Sequence, residues 1–255
     1  PFIEGGLNLQ CKLPVTSSTY IDLTAGTLRT FGVDVVDEQD GEIRNLTIPQ
    51  TRVTHRELEV EPDASSAVYF AAVAALHEGM TVTLEGLSLE SSQPDMEAIR
   101  LLGTIGAEVG DTEEGIRVTG TGTIHGFENL DASGFPDASL CLAAVAAFAD
   151  SPSRIYGLET LPLKESDRIE VMARSLAKVG CGVASSDSDI RISPMESSNI
   201  KVAIDPVDDH RIAMAMAVVG TKRNGISIVN PKCVSKSYPG FWNDLRNIYE
   251  GRELS

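Results

Sequence analysis

The chain repeats itself, and an internal period limits its possible folds more than any local preference does. Three segments share one pattern: "PDASSAVYFAAVAAL" from Pro62, "PDASLCLAAVAAFA" from Pro136 and "DDHRIAMAMAVVG" from Asp208. Each sets an aspartate before an alanine-rich apolar run. Asp63, Asp137 and Asp209 are 74 and 72 residues apart. A second series runs out of phase with the first: "FGVDVVDE" (31–38), "IGAEVGDT" (105–112) and "VGCGVASS" (179–186). Their glycines, Gly32, Gly106 and Gly180, are spaced by 74 both times.

An amphipathic segment precedes each glycine. In "RIEVMARSLAKVG", Ile169, Met172, Leu176 and Val179 fall on one helix face. Ser166 or Asp167 can cap its start, and Gly180 fits a left-handed stop. The alanine-rich runs are apolar on all sides and are expected to be buried helices, with the amphipathic ones outside. Strands are expected at 58–61, 81–87, 115–120, 153–158, 189–193, 200–205 and 226–230. One unit therefore reads strand, Asp-capped apolar helix, strand, loop, amphipathic helix, glycine, strand, strand. Full units cover 59–120, 127–194 and 199–250. Residues 1–58 fit only the second half of this unit, with the amphipathic helix in "YIDLTAGTLRTFG". Units of this kind bury their faces against neighbours, so further repeat is expected upstream of Pro1.

Charge narrows the ligand class. The chain carries 37 acidic and 21 basic residues, a formal net charge of -16. That balance argues against a nucleic-acid partner, which needs a basic face. No run of about 18 apolar residues is present to span a membrane. The four cysteines form no CxxC pair and the four histidines have no metal-ligand spacing, so reduced thiols and no metal are expected. An anionic ligand would then need a local basic pocket. The repeat supplies candidates at equivalent loop ends: Lys164 and Arg168 in "LPLKESDR", His210 and Arg211 in "DDHRIAMA", and Lys236 in "PKCVSKSYPGFW".

Together with "EPDASSAVYF" and "STYIDLT", these segments resemble the 5-enolpyruvylshikimate-3-phosphate synthase (3-phosphoshikimate 1-carboxyvinyltransferase) family, in family order across about 230 residues. The resemblance implies an α/β fold of repeated βαβαββ units about a pseudo-threefold axis, an inside-out barrel. It makes 59–250 the second domain and 1–58 the end of the first domain with the hinge. It implies transfer of the carboxyvinyl group of phosphoenolpyruvate to the 5-hydroxyl of shikimate 3-phosphate, without cofactor or metal. The cytoplasm is the default compartment, with a plastid as the alternative. The N-terminal domain would be needed to complete the site, and this chain alone is expected not to turn over.

By the same resemblance, Asp137 accepts the hydroxyl proton, Glu165 handles the methylene proton, and Lys236 protonates the leaving phosphate. Arg168, Arg211 and Lys236 would bind phosphoenolpyruvate; Ser17, Tyr20 and Lys164 would contact shikimate 3-phosphate, with His210 beside them. Plainer readings stand next to these. Asp63, Asp137 and Asp209 could be simple helix caps, and His210 a capping or packing residue. Met214, Met216, Phe241 and Trp242 read as packing. "SSQ" at 91–93 resembles a substrate motif of the family but sits at the wrong place in the repeat. A related enolpyruvyl transferase acting on UDP-N-acetylglucosamine and a non-catalytic βα-repeat scaffold are the competing functions.

Overall fold

The computed structural model describes residues 1–196 and 201–249. The first 48 residues form β1 (Leu7–Lys12), α1 (Ser18–Thr30), β2 (Val36–Asp40) and β3 (Ile43–Ile48). These strands make an antiparallel sheet in the order β1-β3-β2. α1 and the segment after it form a small apolar cluster of Ala25, Val33 and Val35, against which Ile48 of β3 packs.

Next come α2 (Ala64–Leu76), β4 (Thr81–Glu85), α3 (Met96–Thr104), β5 (Ala107–Asp111) and β6 (Gly115–Gly120). The following unit has β7 (Leu130–Asp131), α4 (Pro136–Ala146), β8 (Ser153–Tyr156), a 3-10 turn (Leu161–Leu163), α5 (Arg168–Lys178), β9 (Gly182–Ser185) and β10 (Asp189–Ser193). The last has β11 (Val202–Ile204), α6 (His210–Lys222), β12 (Ile226–Ile228), a 3-10 helix (Pro231–Lys236) and α7 (Phe241–Tyr249). The sheets repeat as the sequence does. The orders β1-β3-β2, β4-β6-β5 and β8-β10-β9 are the same arrangement, and β7 pairs parallel to β8 as β11 does to β12.

The three alanine-rich helices α2, α4 and α6 pack on one another in all three pairings, with the sheets outside them. Alanine makes this possible, because small side chains let helix backbones approach closely. Ala71, Ala72, Ala144 and Ala213 are fully buried, as are Met216 and Phe241. The amphipathic α5 buries Ile169, Met172 and Leu176, with Val179 at its C-cap, as its spacing requires. Asp167 caps α5 by accepting from the Glu170 N–H, and Gly180 follows at φ +105°.

Two local expectations fail. No strand forms at 58–61, where residues 51–63 hold no regular element. Val60 is 82% exposed and Leu58 is also exposed, so the alternating apolar face has nothing to bury against, and no pairing forms. Asp137 is not a cap either. It lies inside the first turn of α4, whose N-cap is Phe135. Pro136 takes the first helical position, where its missing N–H is harmless, and Asp137 falls two places past the cap; Asp63 also follows a proline and still caps, so the proline alone does not set the position. Asp63 and Asp209 do cap, accepting from the N–H groups of Ser65 and Arg211. The ends of the third unit at 199 and 250, and the start of its first strand at Ile200, lie outside the described residues.

The repeat glycines give a direct test. Gly106 and Gly180 both have positive φ, which costs alanine about 1–2 kcal/mol. At Gly106 an added Cβ would also lie 2.1 Å from the Thr123 carbonyl oxygen, whereas at Gly180 its nearest neighbour is 3.4 Å away. Gly106→Ala should lose about 1–3 kcal/mol more than Gly180→Ala in urea unfolding. Equal losses would contradict the backbone contact.

Candidate functional site

The N-terminal ends of α2, α4 and α6 converge, and α5 starts beside them. At the centre is Arg168, the first residue of α5, with its side chain 1% exposed. Its Nε donates to Asp209 Oδ2 (2.8 Å), Nη1 to Asp137 Oδ1 (2.7 Å) and Nη2 to Glu165 Oε2 (2.7 Å). One guanidinium thus joins carboxylates from α4, from the loop before α5 and from the cap of α6. A buried charge is tolerable only when paired in this way.

Three more cations surround it. Lys164 Nζ and Arg211 Nη2 stand 3.5 and 3.6 Å from the two oxygens of Asp137. Lys236, the last residue of the 3-10 helix, donates to Glu165 Oε1 at 2.6 Å. The cations are therefore already matched by acids, and the cluster is not a bare positive patch. Its pairs are unequal. Arg168 and Asp209 are wholly enclosed, while Lys236 is 58% exposed at the rim.

The electrostatics follow. The Lys236 hydrogen bond, against the opposing effect of partial burial, lowers the Glu165 pKa from 4.5 to about 2. Burial alone would lower the Arg211 pKa, but Tyr69, Asp137 and Asp95 around it raise it on balance. Burial, then the Arg211 charge, lowers the His210 pKa.

The remaining expected residues sit less centrally. His210 is buried at the first position of α6, and its Nδ1 has no hydrogen-bond partner among the described residues. Tyr20 reaches across from α1 and donates to Asp95 Oδ1 (3.3 Å); burial, then Asp95 and Asp137, raises its phenol pKa. Ser17 is left-handed at φ +64°, donates its N–H to the Ser133 carbonyl (2.8 Å) and makes no side-chain cap. Thr19 donates to the Gly134 carbonyl (2.5 Å) beside it. These contacts dock the start of α1 onto the loop before α4.

Sequence reasoning missed Asp95 and the second role of Asp209. Asp95 is 1% exposed and accepts from the Ser65 and Tyr20 hydroxyls. Burial raises its pKa, against the effect of Ser65 and Arg211. It precedes α3 as Asp167 precedes α5, so in sequence it reads as another cap, yet it makes no cap hydrogen bond. Asp209 caps α6 with one oxygen and holds Ser166 and Arg168 with the other. The "SSQ" loop is structural: Ser91 and Gln93 both donate to Glu61, and Gln93 accepts from the Ala64 N–H.

A sequence profile of the family described as EPSP synthase (3-phosphoshikimate 1-carboxyvinyltransferase) matches residues 1–245. The 3-phosphoshikimate 1-carboxyvinyltransferase of Methanoculleus marisnigri is 39% identical over 245 residues, 96% of this chain and 57% of its own length. That of Pseudoalteromonas translucida is 35% identical over 98% of this chain and 58% of its own. The solved structure of EPSP synthase from Acinetobacter baumannii superposes with a TM-score of 0.73 at 27% identity, over 95% of this chain and 56% of that one. The enolpyruvyl transferase NikO from Streptomyces tendae shares the fold, with a TM-score of 0.65 at 17% identity. The chain thus spans a little over half the length of these relatives.

The unequal pairs predict unequal losses. Arg168→Ala would leave the fully buried Asp209 without its cation and should cost about 3–5 kcal/mol in denaturant unfolding. Lys236→Ala should cost under about 1 kcal/mol. Glu165 carries a second expectation. Its folded pKa lies below its unfolded 4.5, so its contribution to stability is complete above pH 4.5 and fades as the pH falls towards 2. Glu165→Gln should flatten that stretch of the acid-unfolding curve, and an unchanged slope would mean the carboxylate is not held by Lys236.

Proposed function

Because the chain belongs to the EPSP synthase family, we propose that its site serves the transfer of the carboxyvinyl group of phosphoenolpyruvate to the 5-hydroxyl of shikimate 3-phosphate, with release of inorganic phosphate. The observation that carries this reading is the convergence of Lys164, Arg168, Arg211 and Lys236 on Asp137 and Glu165 at one rim. Phosphate and carboxylate are bound best by charge-assisted, preferably bidentate donors. A repeat scaffold with no chemistry has no use for such a cluster.

The assigned roles fit the geometry, that of Arg168 apart. Asp137, faced by three cations, is an acceptor for the proton of the 5-hydroxyl as its oxygen attacks C2 of phosphoenolpyruvate. Glu165 delivers a proton to the methylene carbon, forming a tetrahedral intermediate. It later removes a proton from the resulting methyl group as the C–O bond to phosphate breaks. Lys236 donates to the departing phosphate. Arg211 and Lys236 bind phosphoenolpyruvate; the ligand role expected of Arg168 does not fit its enclosed side chain, whose three nitrogens are held by Asp209, Asp137 and Glu165, so it orients those carboxylates instead. Lys164, Ser17 and Tyr20 contact shikimate 3-phosphate, and His210 lines the site behind them. At rest Glu165 is too acidic to deliver a proton, because Lys236 holds it ionised. A substrate phosphate that draws Lys236 away returns the carboxyl towards its ordinary range, where it can act as an acid. Substrate arrival and acid competence are thereby coupled.

Residues 1–58, with their own apolar cluster, represent the end of a first domain and hinge, and 59–250 a second domain. Full turnover then draws on the part of the relatives' length that this chain does not span, since closure of two domains assembles a site and excludes water. The enzyme acts in the cytoplasm on free small-molecule anions. Among the described residues no helix is long and apolar enough to cross a membrane.

Phosphate release from phosphoenolpyruvate plus shikimate 3-phosphate, run on this chain and on one extended upstream to the relatives' length, tests the reading. Only the extended protein should turn over. In it, Asp137→Asn should lose about 10²–10⁴-fold in kcat, and UDP-N-acetylglucosamine should not compete. Silence from both proteins would favour the scaffold. Turnover by the short chain would refute the need for the remaining length.

A further inference from the structure

Among the described residues, three of the four non-glycine residues with left-handed backbone lie in two facing turns: Val207 (φ 54°), Asp208 (φ 57°) and Asn230 (φ 48°). For β-branched Val207 this is a true outlier, sustained only where the surroundings impose it. The turns leave the same place. β11 and β12 run parallel with Ile204 opposite Ile228, and the Val229 N–H extends the ladder to the Ile204 carbonyl (2.8 Å). One turn then leads into α6 and delivers Asp209 and Arg211. It is shaped by the Val207 N–H on Asp205 Oδ1 (2.9 Å) and the Asp209 N–H on the Pro206 carbonyl (3.1 Å). The other leads into the 3-10 helix that delivers Lys236. Across the gap the Asn230 amide donates to Asp208 Oδ1.

We propose that Asp208 and Asn230 are positioning residues for Lys236: their side-chain hydrogen bond ties the turn that carries Lys236 to the loop that carries Asp209 and Arg211, and so sets the Lys236–Glu165 pairing. The 3-10 helix packs on α6 through the buried Val234 and the part-buried Cys233, and its start is held by two further hydrogen bonds. The Trp242 indole N–H on the Pro231 carbonyl (2.8 Å) steadies one side of its start, and Asn230 steadies the other. Both clasp residues are exposed, so the bond adds little to overall stability, and its consequence is geometric.

The geometric claim needs no catalysis, and the Glu165 carboxyl reports it. The titratable groups facing Glu165 are the charged Lys236 from the 3-10 helix and Arg168 at the start of α5, with His210, whose pKa is lowered, at the start of α6. In a ¹³C NMR titration of this chain, Asn230→Ala changes no charge and should move the Glu165 pKa up from about 2 towards 4.5. Asp208→Ala removes a negative charge, which alone would push Glu165 lower, so a rise there comes from a displaced Lys236. The exchange Asp208→Asn with Asn230→Asp rebuilds the bond in reverse and should restore the wild-type titration. An unmoved Glu165 in Asn230→Ala, or an exchange that restores nothing, overturns the proposal.

The kinetic consequence rests on the proposed reaction. In the extended protein, Asn230→Ala should lower kcat/KM for phosphoenolpyruvate about tenfold, while KM for shikimate 3-phosphate stays within about twofold. A general loss of folding would move both substrates alike. An inactive extended wild type would overturn the proposed reaction and leave the Glu165 titration to decide the clasp.

Discussion

Arg168 is the interaction on which the rest of the site depends. A guanidinium taken out of water loses several kcal/mol of solvation, and only good geometry with satisfied donors repays it. Here the pairing is nearly complete: Nε, Nη1 and Nη2 each meet a different carboxylate. Those carboxylates belong to the first turn of α4, the cap of α6 and the loop before α5. The charge therefore fixes how three separately encoded chain segments meet. If any of them shifts by an ångström, a buried acid or the arginine is left unpaired.

The repeat indicates that this arrangement is not what the fold needs. α3 and α5 are the same element in successive units, each followed by its left-handed glycine. The first helical residue is Met96 in one and Arg168 in the other, and both are fully buried. The architecture accepts an apolar side chain at that position, in keeping with the general finding that buried ion pairs can often be replaced without loss of stability. The first unit spends the equivalent loop on Ser91 and Gln93, which bind Glu61 and the start of α2. One unit uses its loop to hold itself together, and the next uses it to hold charge. The difference lies in chemistry grafted on a shared frame.

The same contrast explains what the sequence revealed. Period, helix faces and glycine stops are local or repeated features, and each has its counterpart in the structure: Ile169, Met172 and Leu176 are buried, and Gly32, Gly106 and Gly180 are all at positive φ. The basic residues at loop ends also come together, because equivalent loops of a threefold arrangement point to one end. The acids matched to them were harder to see. Asp95 and Asp209 both precede helices, so each has a sufficient local explanation as a cap, and nothing nearby in the chain announces Tyr20 or Arg168 as a partner. The misplaced strand at 58–61 failed for the opposite reason. Its alternation is strand-like, but a strand exists only through a neighbour, and pairing is not a property of four residues.

The site has a gradient of exchangeability. Arg168 with Asp209 is sealed, whereas Lys236 with Glu165 is held at the rim, where an ion pair contributes at most about 1 kcal/mol. An incoming dianion cannot unseat the inner pairs without exposing a buried charge, but it can take Lys236 at almost no cost. On the proposed reaction this division has a purpose. The inner network keeps Asp137 oriented, and the outer lysine moves between a carboxylate and a phosphate. The exchange is small in energy and large in effect, since it sets how readily Glu165 takes up a proton. A rigid centre and a loosely held rim are then two parts of one requirement: the carboxylates stay in place while the charge around one of them changes.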